Sequence, residues 1–141
     1  MSFWTISPWL SRIVILVVAA LFSLISFKFI LDPHAAAAAS GITIEPGVGY
    51  TNTRAGFGGF PLGFALILLF CLFSSRWLLA ALASITTVAM VILAVRIFGA
   101  AQDQTFTESA HLLAPEAVIA VIALLATAME QARRAREARA G

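Results

Sequence analysis

Apolar residues fall into four long blocks separated by short polar interruptions. The first, Ile13–Phe27, resumes through Phe29–Leu31 beyond the single charge of Lys28. Each block has the length of about twenty residues that a helix needs to cross a hydrocarbon layer. The pattern predicts an all-α chain, an integral membrane four-helix bundle with spans at about 9–31, 53–73, 77–98 and 112–131. These form one membrane domain, residues 1–131, followed by a basic cytoplasmic tail, 132–141.

Helix punctuation refines the pattern. Ser7-Pro8 reads as an N-cap and first helical position, and Asp32-Pro33 reads the same way. Ala35–Ala39 are strong helix formers and Gly41 is placed to stop them. A short interfacial helix after the first span, lying on the outer membrane surface, is therefore expected. Ile42–Tyr50, with Pro46, Gly47 and Gly49, reads as an extended link, and Asn52 as the cap of the second span.

That span begins rich in glycine (Gly56, Gly58, Gly59 and Gly63, with Pro61 among them). Gly59 and Gly63 share a face, which suits close helix packing; a binding site near a loosened helix start is the alternative. Ser74-Ser75-Arg76 allows only a tight hairpin. The third span should end at Gly99, with Ala80, Ser84, Thr87 and Ala94 as its contact face. Thr105-Phe106-Thr107-Glu108 matches a capping box, so the last helix begins near Phe106 and is kinked by Pro115, or else starts at Pro115 itself.

Composition removes whole classes of function. Of 141 residues, 61% are hydrophobic and 11% charged, against roughly 25% charged in soluble domains. A disordered tail, a nucleic-acid binder and a disulfide-built secreted module are all excluded. There is no length left for a soluble catalytic unit beside the spans. The lone Cys71 lies in the apolar run Leu66–Phe73 and reads as a packing residue. The first block reads as a retained span, because Lys28–His34 separate it from the small residues a leader peptidase would cut near.

Charge supplies direction. Four spans put both termini on one side, and Arg133, Arg134, Arg136 and Arg139 mark that side as cytoplasmic. Arg12 and Arg76 join them, whereas Lys28, Arg54 and Arg96 fall outside. Trp4, Trp9 and Trp77 also gather at the cytoplasmic interface, where amphipathic rings are favoured. The expected location is a bacterial inner membrane, with the bilayer as first partner and a larger membrane complex or second copy as another.

Candidate chemistry is sparse. Arg54, Arg96 and Glu116, with Asn52 beside them, lie near the outer ends of spans, where a charge needs a partner or a route to the interface. They form either an ion-paired clasp, Glu116 with Arg96 and Arg54 sharing it, or a site for a small polar molecule or lipid headgroup. His34 and His111 have no metal-ligand spacing, and no nucleophile elbow or phosphate loop is present. No catalytic residue, metal or cofactor is expected.

Leu31-Asp32-Pro33 with its alanine-rich turn and Gly41, then Asn52-x-Arg54-Ala55-x-x-Gly58-Gly59, then Arg96 and Glu116, form a pattern. Over about residues 10–130 the chain resembles a bacterial family of small four-helix membrane proteins of unknown function, with Phe57 a departure where the family is expected to favour tyrosine or another residue. The resemblance implies fold and membrane location but no activity. A non-enzymatic accessory or scaffold subunit is the leading expectation. Binding or transport at the outer polar cluster is second, and a haem- or quinone-binding subunit using His34 or His111 is third.

Overall fold

The structure is a computed structural model that describes residues 3–140, with side chains from Trp9 to Arg139. The described residues are all-α, without strands. In order they form α1 (Phe3–Leu31), α2 (Pro33–Ala39), α3 (Val48–Thr53), a π-helical turn (Arg54–Gly59), α4 (Phe60–Cys71), α5 (Leu78–Asp103) and α6 (Phe106–Ala140). Four stretches are long and apolar enough to cross a membrane: Trp9–Leu31, Val48–Cys71, Leu78–Asp103 and Phe106–Arg139. Large apolar side chains stand exposed along them, among them Leu24, Ile67, Phe70, Val95 and Leu125. Water would not tolerate so continuous an apolar surface, and lipid requires it.

Several element boundaries differ from those the sequence suggests. Helix α1 starts at Phe3, so Ser7-Pro8 lies inside its first turns rather than capping it. The extended link shortens, because Val48–Tyr50 are already helical and Gly47 holds the N-cap position in place of Asn52. Helix α5 runs through Gly99 to Asp103 and is stopped by Gln104 in the left-handed conformation, φ 56°. Glycine is tolerated within a helix, whereas a left-handed residue ends one. Helix α6 begins at Phe106 and passes through Pro115, which has no N–H for the His111 carbonyl. It also continues to Ala140, so the basic tail is helical.

The chain divides into two compact units, Met1–Ile15 with Ser74–Gly141, and Leu16–Phe73. In the first, α5 and α6 pack as a hairpin across the two-residue link Gln104-Thr105. Ala120, Ala123 and Ala126 recur along the buried face of α6, and Leu78, Ala81, Leu82 and Ile85 along that of α5. The expected contact face of α5 is not this one, for Ala80, Ser84, Thr87 and Ala94 are all exposed.

In the second unit Asp32 caps α2 as its sequence suggests. Its Oδ1 accepts from the Ala35 N–H at 2.9 Å, Pro33 sits in the first turn, and Gly41 takes the positive φ of 72° that ends the segment. Phe22 meets Phe64 edge to face, with ring centroids 5.3 Å apart. Val18, Ala19, Phe29, Ala37, Ala65 and Leu68 are buried.

Candidate functional site

In the first unit, three polar contacts fasten the α5–α6 hairpin at different depths. Arg96 lies two turns before the end of α5 and Glu116 ten residues into α6, so the short link brings them level. The Arg96 guanidinium grips both carboxylate oxygens, Nε to Oε2 at 2.5 Å and Nη2 to Oε1 at 2.6 Å. Such a two-pronged, charge-assisted pair is the strongest contact a carboxylate makes with a side chain. The two side chains retain 33% and 22% of their exposure.

Ten residues back along α5, Thr86 shares a 2.9 Å hydroxyl contact with Thr127. Each hydroxyl also lies within reach of its own helix, Thr86 of the Leu82 carbonyl at 2.9 Å and Thr127 of the Ala123 carbonyl at 2.8 Å, so one donates across the hairpin while the other donates to its own carbonyl.

The third contact was not anticipated from the sequence. Glu130 is fully buried, yet it sits in the last third of α6 just ahead of the arginine run. Arg133 reaches it with Nε at 2.9 Å and Nη2 at 2.7 Å, and Arg134 with Nε at 2.9 Å. Arg134 then extends Nη2 to the carbonyls of Ser75 and Arg76, at 2.7 and 3.1 Å, tying α6 to the turn before α5. Arg12 of α1 donates to the Ser75 hydroxyl at 3.1 Å and lies over the Trp9 ring, 5.8 Å from its centroid. The signal was present in the sequence, since Glu130 stands three and four residues before Arg133 and Arg134, the spacing at which helical side chains meet.

The vertical spacing is informative. Eighteen residues separate Leu78 from Arg96, about 27 Å of helix at 1.5 Å per residue. The Arg96–Glu116 pair and the Ser75 junction therefore stand about one hydrocarbon thickness apart.

Arg54 belongs to the second unit, and its Nε donates to the Ile30 carbonyl at 3.1 Å. That carbonyl is in the last turn of α1 and lacks a helical partner, so a cation there answers both a hydrogen-bond need and the helix dipole. The wide π-helical turn brings Phe57 and Gly58 to the same end of α1. Phe57 stacks on Phe29 at 5.3 Å, and a Cβ on Gly58 would come within 2.6 Å of Ile30 Cγ1. The close approach thus falls at Gly58. Gly63 meets nothing within 4 Å and Gly59 only the Arg54 carbonyl at 3.8 Å, because the extra residue in the π turn rotates the helix that follows. Asn52 is exposed within α3.

His34 lies edge-on to Tyr50, ring centroids 6.3 Å apart, and His111 Nδ1 lies 2.7 Å from the carbonyl of Glu108. Among the described residues no three His, Cys, Asp or Glu side chains are grouped to hold a metal ion. No known protein family, curated protein or solved structure matches this chain.

Proposed function

We propose that the chain is a four-span protein of a bacterial inner membrane, with both termini cytoplasmic, acting as a non-enzymatic accessory or scaffold subunit. The proposal includes membership of the small four-helix family that the sequence resembles. The observation that carries it is the use made of the charged groups along the spans. Arg96 and Glu116 neutralise each other, Arg54 is engaged by the Ile30 carbonyl, and Glu130 is held by two arginines. Side chains committed to protein partners are fasteners, and fasteners suit a scaffold.

Affinity purification of the tagged protein from mildly solubilised membranes tests the reading. A larger complex recovered in fixed proportion, or a stable homo-oligomer, is the expected result. A monomer that carries a small molecule would contradict it. That outcome would favour binding of a small polar molecule at Arg96 and Glu116, a second reading supported by the exposure the pair retains.

A further inference from the structure

We propose that the junction around Ser75 is a binding site for the phosphate of an anionic phospholipid headgroup. The inference deepens the topology proposed above and rests on it, since it takes this end of the molecule to be the cytoplasmic interface.

Two guanidinium groups from distant parts of the chain meet at one serine, and a third arginine follows it in sequence. Arg12 of α1 bonds the Ser75 hydroxyl, Arg134 of α6 bonds the Ser75 carbonyl, and Arg76 is the next residue. Their charges are not equally spent. Arg134 shares Glu130 with Arg133, whereas Arg12 and Arg76 have no carboxylate partner among the described residues. An unneutralised guanidinium on a hydroxyl, with a second uncommitted arginine on the adjoining residue, offers donors to a phosphate oxyanion. Each planar fork can donate twice, and the Ser75 hydroxyl, while accepting from Arg12, keeps its own proton to donate.

The surroundings favour a lipid over a free ion. Trp9 and Trp77 flank the cluster at 66% and 51% exposure, the aromatic type found at headgroup depth. Leu10 and Ile13 are exposed on α1 beside Arg12, where acyl chains would run. A soluble phosphate would use the arginines alone and leave this apolar rim in water.

Thermal unfolding of the full chain in neutral detergent, titrated with phosphatidylglycerol, phosphatidylcholine or inorganic phosphate, provides the test. The key variant is Arg76→Gln, whose side chain makes no hydrogen bond or ion pair among the described residues; Arg12→Gln is added afterwards. Phosphatidylglycerol should stabilise the wild type more than phosphatidylcholine does. Its apparent Kd should rise about tenfold in the double variant, the loss expected for charge-assisted hydrogen bonds. Arg139→Gln at the end of α6, which removes one charge as Arg76→Gln alone does, should shift it less than about twofold and less than Arg76→Gln, as a screened surface charge does.

Equal losses in Arg76→Gln and Arg139→Gln would reduce the effect to diffuse charge and overturn the site. Equal stabilisation by phosphatidylcholine would also overturn it. A matching response to inorganic phosphate would overturn the lipid and leave a soluble-anion site. The titration is blind to orientation, so topology reporters that place this end outside would remove the topology without touching the titration.

Discussion

Removing either partner of the Arg96–Glu116 pair probes what these charges do. Glu116→Ala leaves a guanidinium facing a hole, and Arg96→Ala leaves a carboxylate without its two donors, previously at 2.5 and 2.6 Å. A fully buried pair broken on one side loses about 3–5 kcal/mol, and an exposed pair contributes about 0.2–1 kcal/mol. With roughly a third and a fifth of their surface still open, these side chains fall between the limits. A cost of about 2 kcal/mol for each single variant follows by interpolation. The double variant should lose little more than either single one, because the second removal has no partner left to orphan, giving a coupling of about 1–2 kcal/mol. Unfolding of the purified protein by sodium dodecyl sulfate in mixed micelles, followed by circular dichroism, measures all four corners of the cycle. Glu116→Gln should fall between wild type and Glu116→Ala, since an amide oxygen still accepts from Arg96. Strictly additive losses, or single variants within about 0.5 kcal/mol of wild type, would refute the clasp.

Other contacts make equally specific demands. Gly58→Ala should destabilise the second unit by about 1–3 kcal/mol in the same assay, because the new Cβ collides with Ile30, and Ile30→Ala should restore part of the loss. Asp32→Ala should cost α2 about 1 kcal/mol and speed amide exchange at Ala35–Ala39; unchanged exchange would show that the cap is not what holds the helix. Glu130→Ala should cost about 2 kcal/mol by removing the buried carboxylate that two arginines share, Arg133 keeping Glu137 and Arg134 its backbone carbonyls, whereas Glu137→Ala, whose partner keeps Glu130 and whose own side chain is 64% exposed, should cost less than about 1 kcal/mol.

What the sequence made legible was local. Asp32, Pro33 and Gly41 act within one or two turns of their own position, so their types alone announce α2 and its ends. Arg96 and Glu116 were also accessible, because a short link between two long helices forces residues equally distant from it to the same depth. Arg54 was not. Its partner is a backbone carbonyl, which every residue owns and no residue type advertises, and it lies at the end of a helix 24 residues earlier in the chain. The glycines at 56–63 signalled close approach but not which of them makes it, since a single π turn shifts the register of everything after it. Glu130 was hidden by its setting. The arginines after it read as a solvated anchor, although two of them fold back three and four residues to cover a carboxylate. The exposed small-residue face of α5 shows that periodicity identifies a stripe without identifying its neighbour.

Topology fusions test the central claim, a four-span chain with its basic end in the cytoplasm, most directly. An alkaline phosphatase and fluorescent protein reporter pair should be placed after Glu45, after Gln104 and at Gly141. Phosphatase activity without fluorescence at the first two, and fluorescence without phosphatase activity at Gly141, is the pattern the account predicts. Fluorescence from either loop, or phosphatase activity at the C-terminus, would contradict it.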